Sequence, residues 1–405
     1  MSRRLLFIAT VFFAVNAMAQ KYEGLALTPP MGWNSWNTFE TNINEKLVME
    51  TADELVSTGM RDAGYTYLVL DDGWMAKQRD SVTGDLVPDP VKFPRGMKVV
   101  ADYVHSKGLK FGLYNCAGTQ TCAGYPGTRG YEYQDARFYA RIGIDILKYD
   151  WCNTQGITAK EAYTTMSKAL KAARRPIVFS LCEWGDNQPW NWAAPLGQLW
   201  RISGDIYPCF DCEHSHGSWS SWGVMRILDM RKNIRQYAGP GHWNDPDMME
   251  VGNGMTVAED RTHFAMWAMQ AAPLIAGNDL RKMSAETLNT LTNKEVIAVD
   301  QDSLGVQGFK YNMKDSVDTW LKPLKAGDWA VCFLNRSVLP KTIQYDWASE
   351  VITDTVSKRT FEAKTSLYAM RDLFLHKETG NTKKPLNTIL APHSVLMMRL
   401  TPKKK

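Results

Sequence analysis

Acidic residues directly follow several short apolar segments in the first three-quarters of the chain. Two of them, Asp150 and Asp205, end the segments Ile-Leu-Lys-Tyr-Asp and Trp-Arg-Ile-Ser-Gly-Asp. Convergent carboxylates can hold a hard cation, or they can act directly as nucleophile, acid or base. Lys148 and Arg201 stand beside this pair in the sequence, and their positive charges would compete with a metal. We therefore predict direct carboxylate chemistry with no metal and no cofactor.

Tryptophan residues accompany these carboxylates. The chain has 15 of them, and several follow the same apolar segments: Trp33, Trp36, Trp74, Trp151, Trp184 and Trp243. A flat ring can cover the C–H face of a sugar while charged side chains bond its hydroxyl groups. We expect about half of these rings to be core filler. The remainder, together with the carboxylates, indicate a glycoside hydrolase.

The segments that must position these residues alternate between strand-like and helix-like patterns. Helical spacing is seen, for example, at Val48, Ala52, Leu55 and Val56. The eight strand-like runs are residues 30–33, 67–70, 110–114, 145–149, 177–182, 199–203, 242–244 and 274–276. Eight β/α units in about 250 residues predict a (β/α)8 TIM barrel over residues 20–304, with a doubly wound sheet as the alternative. In a barrel, the strand ends would gather the carboxylates at one face.

The pattern changes after about residue 305. Short strand-like runs at residues 318–321, 329–334, 342–347 and 394–400 are separated by turn residues, and helical spacing is weak. This pattern predicts a second, antiparallel β-sandwich domain over residues 305–405.

Charge and the N-terminal residues restrict the partners and the location. The 405 residues include 47 Lys and Arg against 43 Asp and Glu, so no broad basic surface for nucleic acid is expected. Two arginines, an apolar run too short to cross a bilayer, and Ala17-Met18-Ala19 predict a signal peptide over residues 1–19. We expect a periplasmic or secreted protein without membrane insertion.

The chain has seven cysteines, and the expected oxidising location would allow them to form disulfides. The cluster Cys209, Cys212, His214 and His216 has the spacing of a metal-binding group, or of a small disulfide loop beside two histidines. The sequence leaves both interpretations open.

Six motifs resemble those of a known family. They are Pro-Met-Gly-Trp-Asn-Ser-Trp (30–36), Leu-Asp-Asp-Gly-Trp (70–74), Leu-Lys-Tyr-Asp (147–150), Cys-Glu-Trp-Gly (182–185), Trp-Arg-Ile-Ser-Gly-Asp-Ile (200–206) and Gly-Pro-Gly-His-Trp-Asn-Asp-Pro-Asp-Met (239–248). In this order they resemble glycoside hydrolase family 27, the barrel α-galactosidases. The resemblance implies a retaining exo-α-galactosidase that removes terminal α-D-galactosyl residues from oligosaccharides or glycoconjugates. It assigns Asp150 as nucleophile and Asp205 as general acid/base, with carboxyl groups about 5–5.5 Å apart.

The resemblance also implies a galactose pocket and a disulfide beside it. The implied pocket residues are Trp36, Asp71, Asp72, Tyr114, Lys148, Glu183 and Arg201, and the implied disulfide is Cys122–Cys152. Glu183 favours galactose over N-acetylgalactosamine, whose family relatives carry a small residue there. The Asp71/Asp72 pair argues against arabinopyranose, whose relatives replace one aspartate with glutamate.

The sequence also permits alternative functions, and one segment departs from the family pattern. The same fold and mechanism could act on α-N-acetylgalactosaminides or β-L-arabinopyranosides, or the barrel could bind carbohydrate without catalysis. Residues 208–216, after the sixth strand, match no part of the family pattern and are expected on the leaving-group side. Linkage preference, aglycone length and oligomeric state are not predicted.

Overall fold

Eight parallel strands form a curled sheet in the first three-quarters of the chain. The computed structural model describes residues 21–230 and 233–403, so the predicted signal peptide at residues 1–19 lies outside the described residues. With strands numbered in chain order, the barrel strands are β1 (Met31–Asn34), β2 (Tyr67–Leu70), β3 (Lys110–Cys116), β4 (Ile146–Asp150), β5 (Val178–Cys182), β6 (Leu199–Arg201), β9 (Trp243–Asp245) and β10 (Leu274–Ala276). Their order in the sheet is β10-β1-β2-β3-β4-β5-β6-β9, and β7 (Glu213–Ser215) and β8 (Ser220–Trp222) form a separate pair.

The two outer strands of this sheet meet, so the sheet closes. Met31 of β1 lies opposite Leu274 of β10. On the other side, the segment after β9 forms a parallel bridge from Met249 to Ala276. The Met249 amide donates to the Ile275 carbonyl at 2.7 Å, and the Gly277 amide donates back to the Met249 carbonyl at 3.0 Å. The TIM-barrel prediction is confirmed, and the doubly wound alternative, which needs an open sheet, is wrong.

Helices connect the strands and cover the barrel. They are α1 (Trp36–Phe39), α2 (Glu45–Ser57), α3 (Met60–Ala63), α4 (Met97–Ser106), α5 (Glu132–Ile142), α6 (Ala159–Ala172), α7 (Val224–Met230), α8 (Val257–Met269), α9 (Ala285–Leu291) and α10 (Lys294–Asp300). Helix α2 shows why they form. The Asn44 side chain caps it by accepting from the Leu47 amide, and its buried face includes Val48, Ala52 and Leu55.

The last quarter of the chain is antiparallel, as predicted. Its strands are β11 (Phe309–Lys314), β12 (Val317–Pro323), β13 (Trp329–Asn335), β14 (Lys341–Tyr345), β15 (Val351–Thr353), β16 (Thr360–Glu362), β17 (Tyr368–Asp372), β18 (Lys377–Asn381), β19 (Leu386–Leu390) and β20 (Val395–Pro402). Six of them form one sheet in the order β11-β12-β13-β20-β17-β18, and β14–β19 and β15–β16 form two separate pairs.

This β region packs directly on the barrel, mainly around α8. The buried ammonium group of Lys322 donates to the carbonyls of Ala268, at 2.9 Å, and Val299, at 2.7 Å. The Thr262 hydroxyl donates to the His393 carbonyl at 2.7 Å. These contacts fix the two parts of the chain to each other. Within the described residues, every helix is too short or too polar to cross a membrane.

Candidate active site

A small pocket opens where the barrel strands end. Its wall combines carboxylates, two cations and aromatic rings, supplied by Trp36, Asn37, Asp71, Asp72, Tyr114, Cys122, Lys148, Asp150, Trp184, Arg201, Asp205, Asp247 and Met248. Of the nine predicted catalytic and sugar-binding residues, eight therefore meet in one pocket, and Glu183 is the exception. Their gathering follows from the barrel, because the carboxyl ends of parallel strands face the same side.

Strand β4 supplies Asp150 and Lys148 to the same wall. The two residues are two apart, so their side chains lie on one face of the strand. Asp150 is only 6% exposed, and one of its oxygens accepts from the Trp151 amide at 2.8 Å. Burial raises the pKa of Asp150 to about 7; the charge of Lys148 opposes this rise, and Asp205 adds to it.

Asp71, at the end of β2, is held by three residues from two other segments. Its Oδ2 accepts from Asn34 at 2.8 Å and from the Lys148 ammonium group at 2.7 Å. Its amide donates to the Ser35 hydroxyl at 3.0 Å. Burial alone would lower the pKa of Lys148, but Asp71 and the other nearby carboxylates raise it, so this residue is charged. The pair fixes a cation and an anion side by side in the pocket.

Asp72 connects the pocket to the Cys122–Cys152 disulfide. One of its oxygens accepts from the Ala123 amide at 2.9 Å, next to Cys122. The structure contains the Cys122–Cys152 bond that the family resemblance implied. The Tyr114 hydroxyl donates to Cys122 Sγ at 3.2 Å. Burial raises the pKa of Asp72, and the amide of Ala123 opposes this rise.

Arg201 joins two carboxylates at the opposite side of the pocket. Its Nη2 lies 3.0 Å from an oxygen of Asp205 and 3.0 Å from Oδ2 of Asp247. The Asp205 side chain is 38% exposed, whereas that of Asp247 is 5% exposed. Burial raises the pKa of Asp247 to about 6, although Arg201 opposes this rise. Asp205 is thus the more accessible of the two carboxylates beside this cation.

Glu183, which was predicted to line the pocket, does not. Its side chain is fully buried, and Oε2 accepts from the Asn187 amide at 2.7 Å and from the Asn187 side chain at 2.8 Å. Burial raises the pKa of Glu183 to about 7. The next residue, Trp184, has a positive φ of 59° and lines the pocket instead. The other oxygen of Glu183, Oε1, is buried and has no hydrogen-bond partner among the described residues.

Four pocket residues were not assigned a site role from the sequence: Asn37, Trp184, Asp247 and Met248. Trp184 and Asp247 do follow strand-like runs, but position alone did not separate them from Glu183 or Asp245. The direction of each side chain depends on the backbone after the strand. Asp247 has a φ of 90°, and such positive values are not readable from residue type.

About half of the tryptophans that follow strands are core residues, as expected. Trp33, Trp74 and Trp243 are fully buried. Their indole N–H groups donate to the carbonyls of Asn278, Tyr114 and Ala26. Trp36 and Trp184 line the pocket.

The cysteine clusters are bonded as disulfides. Cys209 and Cys212 form one, so the metal-cluster interpretation of this segment is not supported and the disulfide loop is present. Within residues 21–230 and 233–403, one group of side chains has metal-like spacing: Cys122, Asp150 and Cys152. Its two sulfur atoms are joined to each other, so it offers no thiolate ligand.

Comparison with known proteins agrees with this geometry. Residues 28–302 match the family described as "Alpha galactosidase A", and residues 314–400 match the "Alpha galactosidase C-terminal beta sandwich domain". The chain is 52% identical over 396 residues to "Alpha-galactosidase A" of Cellvibrio japonicus, covering 98% of this chain and 97% of the relative.

Solved structures give the same result. α-Galactosidase I from Mortierella vinacea is 36% identical with a TM-score of 0.85, over 93% of this chain and 98% of that one. The α-galactosidase from Saccharomyces cerevisiae with raffinose is 31% identical with a TM-score of 0.87, over 95% and 99%. The pocket carboxylates, the barrel with its β-sandwich domain, and these full-length matches show that the chain belongs to the α-galactosidases of glycoside hydrolase family 27.

Proposed function

We propose that Asp150 and Asp205 carry out the double displacement by which this family member removes terminal α-D-galactosyl residues. The observation that supports these roles most is their different access within one pocket: Asp150 is buried at the base of the wall on β4, and Asp205 is half-exposed. A nucleophile must reach the anomeric carbon inside the pocket. A proton donor must reach the bridging oxygen, beyond which the leaving group projects outward.

The proposed reaction has two steps. The Asp150 carboxylate attacks the anomeric carbon while Asp205 donates its proton to the departing glycosidic oxygen. Asp205, now ionised, then takes a proton from water, which attacks the same carbon and releases Asp150. Lys148 favours the ionised form of Asp150 that the first step needs, because its charge opposes the effect of burial.

Sugar recognition is assigned to the polar wall. Asp71 and Asp72 each keep carboxylate lone pairs beyond those used by Asn34, Lys148 and backbone amides. Buried carboxylates of this kind discriminate strongly, because a sugar that lacks the matching hydroxyl leaves them unpaired. The raffinose bound to the yeast relative supports galactose-terminated oligosaccharides as substrates.

Two experiments test the proposal. Nitrophenyl α-galactoside, α-N-acetylgalactosaminide, β-L-arabinopyranoside and α-glucoside are compared with the wild-type protein, and hydrolysis of the α-galactoside alone is expected. Asp150→Ala should lower kcat by roughly 10⁴ or more. Added azide should restore turnover and yield β-galactosyl azide, since azide replaces the nucleophile. The α anomer of the azide, or full activity of Asp150→Ala, would contradict the assignment.

We also propose an exported location, periplasmic or secreted. The Cys122–Cys152 and Cys209–Cys212 disulfides support an oxidising compartment. Cell fractionation of the producing organism, with immunodetection of the chain, tests this proposal.

A further inference from the structure

A hairpin after β6 is attached to the backbone of Asp205. Its strands are β7 (Glu213–Ser215) and β8 (Ser220–Trp222), and residues 207–222 are called the β7–β8 hairpin below. The Trp222 amide donates to the Asp205 carbonyl at 2.9 Å, and the Tyr207 amide donates to the Trp222 carbonyl at 2.9 Å. The Cys209–Cys212 disulfide closes the segment that leads into β7. The hairpin therefore has a fixed position relative to the proposed proton donor.

The β7–β8 hairpin forms one wall of a second, wider cleft. This outer cleft is continuous with the galactose pocket, because Trp36, Trp184 and Asp205 line both. The hairpin contributes Trp219 and Trp222 to the outer cleft. A substrate cleaved beside Asp205 must place its leaving group here, on the outer side of that carboxyl group.

Trp219 is held in place by a row of rings along the hairpin. Tyr207 stacks on His214 at 4.2 Å, His214 meets His216 edge-on at 4.7 Å, and His216 stacks on Trp219 at 3.8 Å. His216 Nε2 is also hydrogen-bonded to the Ser221 hydroxyl at 2.8 Å. Despite this support, 51% of Trp219 is exposed. A rigidly held, half-exposed indole in a cleft is a typical ligand contact rather than a core residue.

We propose that Trp219 is a specificity-determining residue that stacks on the leaving-group sugar, a hexopyranose, while the galactosyl unit occupies the inner pocket. This inference rests on the proposed function and adds to it the side chain that selects the leaving-group sugar. The C–H face of that pyranose covers the exposed part of the indole, and its glycosidic oxygen lies beside Asp205.

The test compares two substrates that differ only in the leaving group. α-Galactosyl fluoride has no leaving-group sugar and reports the inner pocket alone, whereas the disaccharide galactosyl-α-1,6-glucose also uses the outer cleft. Trp219→Ala should lower kcat/KM for the disaccharide about tenfold, the scale of one lost ring contact, and leave that for the fluoride within about twofold. Trp219→Phe keeps a ring and should retain most of the disaccharide activity. Tyr311→Ala removes a ring of similar exposure in the β-sandwich region and is the matched control.

Three results would overturn the inference. If Trp219→Ala left both substrates unchanged, the indole would not contact the leaving group. If it lowered both equally, with an unchanged melting temperature, it would act on the chemistry rather than on leaving-group binding. If the wild-type protein did not hydrolyse α-galactosyl fluoride at all, the proposed function itself would fail. Loss of disaccharide activity alone cannot be confused with that third result.

Discussion

The ammonium group of Lys148 lies 2.7 Å from Oδ2 of Asp71, so the cation that shares strand β4 with the proposed nucleophile is ion-paired with a carboxylate from the end of a different strand. Both side chains are largely buried, at 16% and 2% exposed. Lys148 thus balances the buried Asp71 carboxylate, to which we assign sugar binding, and also opposes the effect of burial on the pKa of Asp150.

Lys148→Met should therefore affect both stability and pH dependence. Removing one partner of a buried ion pair leaves Asp71 uncompensated and should cost roughly 3 kcal/mol in the free energy of unfolding. The lost positive charge also raises the pKa of Asp150, which must be ionised to attack. As the pH is lowered, kcat/KM should therefore begin to decline at a higher pH than in the wild type. Urea unfolding and pH–rate profiles measure the two effects.

Lys98→Met is the matched control for this variant. Lys98 pairs with Asp102, but both side chains are more than half exposed. Loss of such a pair should change the free energy of unfolding by less than about 0.5 kcal/mol. Equal destabilisation by the two variants would show that the buried Lys148–Asp71 pair contributes no more to the free energy of unfolding than an exposed pair does.

Glu183→Gln should leave activity nearly unchanged and stabilise the protein at alkaline pH. The buried carboxyl group has a raised pKa of about 7, so the folded state holds this proton more tightly than the unfolded chain does. The stabilisation from this group is present at low pH and is lost as the pH rises towards 7. Glutamine does not titrate and keeps an acceptor for Asn187. We expect a melting temperature about 1–3 °C higher at pH 8 and little change at pH 5.

The activity of this variant separates two interpretations of Glu183. If Glu183 bonded a sugar hydroxyl, as predicted from the sequence, Glu183→Gln would lower kcat/KM for nitrophenyl α-galactoside substantially. A value within about threefold of wild type is expected instead, since Glu183 lies outside the pocket. Glu286→Gln, at an exposed position on α9, controls for a general effect of charge.

The two disulfides should differ in their contribution to stability. Cys122–Cys152 closes a loop with a sequence separation of 30, and Cys209–Cys212 a loop with a separation of 3. In the chain-entropy description, the first contributes about 3–4 kcal/mol and the second about 2 kcal/mol or less. Urea unfolding of the two double serine variants tests this. Equal losses would contradict the loop-length argument.

Activity should separate the disulfides too. Cys122 lines the pocket and accepts a hydrogen bond from the Tyr114 hydroxyl. The amide of the next residue, Ala123, donates to Asp72. The double variant Cys122→Ser/Cys152→Ser should therefore lower kcat/KM for nitrophenyl α-galactoside. The assay is run without denaturant, at a temperature well below the melting point of the variant. An unchanged kcat/KM would mean that this bond only stabilises the fold.

Most of the barrel was predictable because its patterns are local. Each buried parallel strand reads as a short apolar run, and residues such as Asp71 and Asp150 follow these runs directly. The β7–β8 hairpin was not predicted as strands, because Glu-His-Ser and Ser-Ser-Trp carry no apolar alternation. Strand β18, Lys-Glu-Thr-Gly-Asn, was missed for the same reason.

The choice between Glu183 and Trp184 lies beyond sequence patterns of this kind. Both residues follow β5, and the family motif contains both. The outcome is decided by the left-handed backbone at Trp184 and by two hydrogen bonds from Asn187 that hold Glu183. Both are local features of the turn after β5, but neither can be read from residue type or spacing.

Asp205→Asn should impair hydrolysis in proportion to the leaving group's need for a proton. Asp205 lines both the galactose pocket and the outer cleft, where the glycosidic oxygen would lie. With galactosyl-α-1,6-glucose, whose leaving alkoxide requires protonation, the first chemical step should slow by roughly 10²–10⁴. With 2,4-dinitrophenyl α-galactoside, whose phenolate leaves unaided, that step should change little, as measured by the burst of dinitrophenolate in rapid-mixing experiments.

Asp247→Asn is the informative comparison, because Asp247 contacts the same guanidinium group of Arg201 but is buried. A residue that positions Arg201 without transferring a proton should lower the rates of both substrates by a similar factor. If Asp205→Asn also affected both substrates equally, Asp205 would not be the proton donor. If Asp247→Asn instead showed the dependence on the leaving group, the acid/base role would belong to Asp247, and the accessibility argument for Asp205 would be wrong.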